Sequence, residues 1–170
     1  LPVEEQDIFS PSIAVTNFLK NKDIKKIYLL ANLNINPDFN DFIIQSENPK
    51  AVILGDIYKD FNWENLNRVF EFLLKDDCIL IALHKNRYCK RNEKIALDLG
   101  PFVTALEYAS SKKAIVIGKP EKEFFDLAIK SLNLDKNQIL MIGDDINSDI
   151  GGAKSSNIKA IQVKTGKYRE

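Results

Sequence analysis

Ile139-Leu140-Met141-Ile142-Gly143-Asp144-Asp145-Ile146-Asn147-Ser148-Asp149-Ile150-Gly151-Gly152-Ala153 is the stretch whose reading decides the fold. An unbroken apolar run stops at Gly143, three carboxylates follow, and small residues then resume. That order predicts a buried strand that empties into a charged loop. In an open α/β sheet, ligands sit beyond the carboxyl ends of the parallel strands, so Asp144 and Asp145 are expected at the crevice where chemistry is done. Two adjacent carboxylates repel each other, and a cation would offset them. With hard oxygen donors on a short loop, the expected cation is Mg2+ that keeps several of its waters. Asp149 falls at the start of the next helix, where the positive end of the macrodipole favours an anion.

A plainer reading of the same residues is an Asp and Asn turn that caps a helix. Gly143-Asp144-Asp145 also matches the palm hairpin of RNA-dependent polymerases, which needs a strand after its loop. Here Ile150-Gly151-Gly152-Ala153-Lys154-Ser155-Ser156-Asn157 predicts a small-residue helix ending in a turn, and 170 residues are far too few for a polymerase.

With 45% hydrophobic residues, the chain can bury one full core or two small ones. Its 24 Lys and Arg balance its 24 Asp and Glu. No global field recruits nucleic acid or an anionic membrane, so any phosphate recognition has to be local. Cys78 and Cys89 are the two cysteines, and no signal-peptide pattern opens the sequence, which together point to a reducing, cytoplasmic location. No stretch reaches the length that crosses a bilayer.

Outward from the deciding stretch, apolar runs and helical periodicities alternate. Ser10 and Pro11 read as cap and first residue of a helix carrying Ile13, Ala14, Phe18 and Leu19. Strands are expected over 25–31, 51–55, 78–83, 114–118 and 158–163. Leu66, Val69, Phe70, Leu73 and Leu74 give the segment 63–75 one buried helical face, with Trp63 read as core. A polar, basic passage runs to Gly100, and Pro101 sets up a helix over 102–110. Phe124, Phe125, Ala128 and Ile129 point inward from a helix over 123–132. This alternation predicts parallel βαβ units with right-handed crossovers.

Three strand ends carry polar residues: Lys119, the pair Asp144 and Asp145, and 165–168. In one parallel sheet all three would share an edge. A lysine just before a helix N-terminus is badly placed by the dipole argument. Beside a metal-binding carboxylate pair it would instead hold one phosphoryl oxygen while the metal holds another.

Gly118-Lys119-Pro120 with Phe124-Phe125, Ile142-Gly143-Asp144-Asp145 with Asp149 and Gly151-Gly152-Ala153, and Val163-Lys164-Thr165-Gly166-Lys167-Tyr168 resemble the third and fourth motifs and closing loop of the haloacid dehalogenase superfamily. Ala82-Leu83-His84-Lys85 and Gly100 to Ala109 extend the likeness to its phosphatases, so that it covers the chain from about Ile8 onward. The resemblance implies an α/β fold, with a partial Rossmann-like core holding a parallel sheet and an inserted α/β cap of C2 type. Residues 10–110 would be the cap, 111–170 the C-terminal part of the core, and 1–9 the segment leading out of the rest of it. Mg2+ is the implied cofactor, with Asp144, Asp149 and the neighbouring Asp145 as the implied metal set. Lys119 and Asp149 would be catalytic, and Lys119 would also touch the phosphoryl group. His84 and Arg87, in the cap loop 84–90, would bind the substrate, a phosphorylated small molecule or phosphoamino acid. No nucleic-acid or membrane partner is expected. A homodimer, or association with the rest of the core, would cover exposed sheet edges.

The superfamily's reaction begins with an aspartate nucleophile in an Asp-x-Asp or Asp-x-Ser pattern that becomes a phosphoaspartate. Neither pattern occurs in this sequence; Asp56-Ile57-Tyr58 is the one comparably placed aspartate, and it falls inside the implied cap. The expectation is therefore a phosphatase in the parent protein and no turnover by this chain alone. The alternative is a non-catalytic phosphate- or metal-binding or protein-interaction module.

Overall fold

Ala51-Val52-Ile53-Leu54 has no polar position, so a strand built from it needs cover on both faces. In the computed structural model it is the second of eight strands among the described residues, which are all but 1, 5, 6, 93 and 166–170, with the Lys90 side chain also outside the description. In chain order the elements are α1 (Pro11–Asn21), β1 (Ile27–Leu30), β2 (Ala51–Leu54), α2 (Trp63–Leu73), β3 (Ile79–Ala82), β4 (Tyr88–Arg91), β5 (Lys94–Leu97), α3 (Leu99–Ser110), β6 (Ile115–Val116), α4 (Lys122–Leu132), β7 (Leu140–Gly143), α5 (Gly152–Ser155) and β8 (Lys159–Gln162). They fall into two units, residues 15–116 and residues 1–14 with 117–170.

In the first unit, β1, β2, β3 and β6 form a parallel sheet in that order. The register Tyr28↔Val52↔Leu80 sets even-numbered side chains on one face. There Tyr28, Val52, Leu54, Leu80 and Ala82 pack with Val69, Phe72 and Leu73 of α2 and with Leu99, Val103 and Leu106 of α3. The opposite face carries Ile27, Leu29, Ile53 and Ile81, also buried. Four consecutive buried residues in β2 follow from this two-sided cover, which explains why the run shows no alternation.

Two expectations fail here. Trp63 is not core: it opens α2 just after the Asn62 cap and is 72% exposed, and Leu74, one residue past the last turn, is 61% exposed. Both sit at helix ends, where the periodic face has run past the sheet. The polar, basic passage before Gly100, to which the sequence reading assigns no element, is ordered. It holds an antiparallel hairpin of β4 and β5, paired from Tyr88↔Leu97 to Arg91↔Lys94. The helix expected from 102 starts at Leu99, because the Asp98 side chain accepts the Leu99 N–H at 2.8 Å.

The second unit pairs β7 with β8 in parallel. Phe124 and Phe125 of α4 are buried, meet edge to face at 5.8 Å, and Phe124 packs on Phe9 at 5.4 Å. Gly152 lies so close to Phe125 that an added Cβ would come within 2.2 Å of its ring. The single shared sheet edge expected for Lys119, Asp144 and Thr165 does not form. The strand before Lys119 shrinks to β6, which joins β3 in the other unit, while β7 and β8 make a sheet of their own. No helix among the described residues is long and apolar enough to cross a membrane.

Candidate functional site

The loop after β7 is built on Asp145. Its Oδ1 accepts the N–H groups of Asn147 and Ser148, both at 2.9 Å, and its carbonyl accepts those of Asp149 at 3.0 Å and Ile150 at 3.2 Å. This caps a π-helical turn over Ile146–Gly151 that runs into α5. The capping reading of the Asp and Asn cluster thus describes Asp145. In return, the Asp145 N–H donates to Asp149 Oδ2 at 3.2 Å. From β8, the Gln162 amide donates to the Asp144 carbonyl at 3.2 Å and braces the strand end.

Asp149 is 5% exposed, and its other oxygen, Oδ1, accepts from Lys119 Nζ at 2.6 Å. The two residues are 30 positions apart, and this charge-assisted bond is what brings them together. It also answers the dipole objection to Lys119, since the cation has a buried carboxylate facing it. The lysine side chain stays 42% exposed, so the ammonium keeps donors for a further acceptor. Gly143 is required by this geometry: a Cβ there would lie 2.4 Å from Asp149 Cβ and 2.5 Å from Oδ2.

The three carboxylates do not converge. Among the described residues no group of three His, Cys, Asp or Glu is placed to share a metal ion. Asp144 is half-buried at the end of β7, and its carboxylate is a hard oxygen donor of the kind magnesium takes. A magnesium ion held by one or two carboxylates, with water and phosphate oxygens for the rest, is compatible with that donor set. Residues 166–168 of the expected closing loop lie outside the described residues.

His84 and Arg87 lie in the other unit. His84 Nε2 is 3.8 Å from Asp98 Oδ1, beyond hydrogen-bond length, and its Nδ1 is enclosed without a partner among the described residues. Arg87 is exposed on a depression of about 550 Å3 whose walls include Lys85, Tyr88, Leu97, Pro101 and Thr104. Lys85 reaches Glu107 Oε2 at 2.6 Å, and the Ala114 N–H donates to Glu107 Oε1 at 3.0 Å. Sequence reasoning did not single out Glu107, whose position in a helix gives no local signal of a partner 22 residues away.

Burial alone would raise the Glu107 pKa. The hydrogen bonds from Lys85 and Ala114 and the charges of Lys85 and Lys113 outweigh it, so the carboxyl sits below its ordinary 4.5. A depressed folded value adds stability above the unfolded pKa that is lost as pH falls through the folded one. Glu107→Gln is therefore expected to flatten the fall of the urea midpoint between about pH 5 and pH 3. An unchanged slope would show that Glu107 titrates alike in both states.

Residues 116–170 match the family model described as HAD-hydrolase-like. Haloacid dehalogenase-like hydrolase domain-containing protein 2 of Homo sapiens is 43% identical over 167 residues, covering 98% of this chain and 63% of that protein. Phospholysine phosphohistidine inorganic pyrophosphate phosphatase of Homo sapiens is 38% identical over 168 residues, covering 98% and 61%. The chain thus spans less than two thirds of the length of these curated relatives. Among solved structures, a p-nitrophenyl phosphatase from Archaeoglobus fulgidus shares the fold at a TM-score of 0.91 and 20% identity, covering 100% of this chain and 66% of the other. A double mutant thermostable NPPase from Geobacillus stearothermophilus gives 0.86 and 22%, covering 100% and 71%. Over nearly its whole length the chain is thus similar to haloacid dehalogenase-like hydrolases, and its residues 116–170 match that family's model.

Proposed function

We propose that the parent protein of this chain is a Mg2+-dependent phosphatase that hydrolyses a phosphorylated small molecule or phosphoamino acid. The observation that carries this reading is the 2.6 Å bond from Lys119 to the buried Asp149, next to the free end of β7. Asp149 fixes the lysine, and an ammonium with donors to spare is aimed to hold a phosphoryl oxygen as charge builds on it. Asp144 would ligate the magnesium, and Asp149 would support it from behind through Lys119 and the metal's waters. When bound, the ion would withdraw charge from the phosphoryl oxygens. Asp145 contributes by capping the turn that places Asp149.

Residues 10–110 would act as the cap, with Arg87 and His84 contacting the substrate and 111–170 forming part of the core. No Asp-x-Asp or Asp-x-Ser occurs in the sequence, so the attacking carboxylate and the phosphoaspartate belong to the parent, and these residues alone would hold phosphate or metal without turnover. Leu140, Ile142 and Ile161 on the outward face of β7 and β8 are about half exposed, which supports cover by the rest of the parent's core or by a second copy. Two unpaired cysteines, one buried, support a reducing cytoplasmic setting.

The test compares two neighbouring aspartates in the full-length protein, with p-nitrophenyl phosphate as substrate. Asp144→Asn is expected to lower Mg2+-dependent turnover by about 100-fold or more. Asp145→Ser, which keeps a capping oxygen, should stay within about threefold. Equal effects at both positions, or none at either, would contradict the assignment.

A further inference from the structure

The hairpin of β4 and β5 is poorly covered: Tyr88, Ile95 and Leu97 are 55%, 71% and 64% exposed. At its base, the Gly100 N–H donates to the Asn86 carbonyl at 2.8 Å, and the Asp98 N–H to that of Arg87 at 3.4 Å. At its tip, the described bonds that leave the hairpin all run through Arg91. An Arg91 Nη pairs with the Asp56 carboxylate, and the guanidinium carbon lies 4.6 Å over the centre of the Tyr58 ring. Asp56 is the residue that closes the exit of β2, and its second oxygen accepts the Tyr58 N–H at 3.0 Å. Tyr58 itself has φ of 51°, a left-handed conformation that aromatic residues rarely adopt. One carboxylate thus sets the Tyr58 backbone and holds the arginine that covers its ring.

We propose that Arg91 is a positioning residue for substrate discrimination. By pinning the hairpin tip to the exit of β2, it fixes Tyr88 and Leu97, which with Arg87, Pro101 and Thr104 wall the depression described above. The proposal rests on the reading that this loop contacts the substrate. It assigns to Asp56, Tyr58 and Arg91 a role distinct from phosphoryl chemistry, which explains an aspartate at a strand end followed two positions on by an aromatic ring and not by a second carboxylate.

The experiment uses the full-length protein and two probes, p-nitrophenyl phosphate and O-phosphotyrosine. Arg91→Ala is expected to raise amide exchange across 88–97 by about tenfold or more. It should also change the ratio of kcat/KM between the two probes by about fivefold or more, through KM, with kcat for p-nitrophenyl phosphate within about twofold. Arg91→Lys keeps the charge and the ring contact and should recover most of both effects. Asp56→Asn keeps an acceptor for Tyr58 and loses the ion pair; it should match Arg91→Ala, and the double variant should be no worse than either single one. Unchanged exchange in Arg91→Ala overturns the proposal. So does faster exchange with an unchanged ratio in an active enzyme, which would leave the phosphatase reading intact. A wild type that turns over neither probe removes both.

Discussion

Lys119→Met in the full-length protein is expected to lower kcat for p-nitrophenyl phosphate by about 10²–10³-fold, the scale seen when one preorganised donor to a charged transition state is removed. Methionine keeps most of the side-chain volume and removes the ammonium, so the loss reports charge. It also leaves Asp149, 5% exposed, with the Asp145 N–H as its remaining described donor. Removing one partner of a fully buried pair costs about 3–5 kcal/mol. Lys119 is 42% exposed, so solvent already screens the pair and a cost of about 1–2 kcal/mol is expected instead. Urea denaturation beside the kinetics separates the two effects. If kcat falls less than about threefold while stability drops, the pair is a structural ion pair and Lys119 has no part in phosphoryl transfer.

Gly143→Ala should reach the same site through packing. The new methyl would stand 2.4 Å from Asp149 Cβ and 2.6 Å from its Cγ, closer than any real side chain tolerates. Asp149 cannot simply swing away, because both oxygens are bonded and its backbone N–H is held by the Asp145 carbonyl. Overpacking of this kind costs about 1–3 kcal/mol, and turnover should fall about as far as it does in Lys119→Met. Adding Asp149→Gly removes all three clashing atoms, Cβ included, so the double variant should regain part of the lost stability and none of the activity. A Gly143→Ala protein within about 0.5 kcal/mol of the parent would show that the glycine is not set by Asp149.

Much of this arrangement could be read before any coordinates, and what could not has physical causes. The strands of the first sheet are legible because burial leaves uninterrupted apolar runs, most completely from Ala51 to Leu54. The β4 and β5 hairpin is not, because Tyr88-Cys89-Lys90-Arg91 carries no clean alternation of apolar and polar residues. Its one local signal is Asn92 at the turn, which adopts φ of 46°. Trp63 misleads because helical periodicity says which side a residue faces and not whether the sheet extends that far. At the site, Asp144, Asp145 and Lys119 were legible as charged residues at strand ends, and Asp149 as an anion at the start of the next helix. Their division of labour was not. Nothing in Gly-Asp-Asp tells which aspartate caps the turn, and only the two 2.9 Å bonds to Asn147 and Ser148 assign that task to Asp145. The meeting of Lys119 with Asp149 was expected from a shared sheet edge and arises without one, through a side chain long enough to reach from outside β7 and β8.

The central claim is that Lys119 and the end of β7 grip one phosphoryl group between them. A crystal structure of the full-length protein with Mg2+ and orthovanadate tests it most directly. The account predicts a vanadate oxygen within hydrogen-bond distance of Lys119 Nζ, the Lys119 to Asp149 bond kept, and the Asp144 carboxylate on the metal. Vanadate bound elsewhere, with Lys119 touching Asp149 alone, would contradict it.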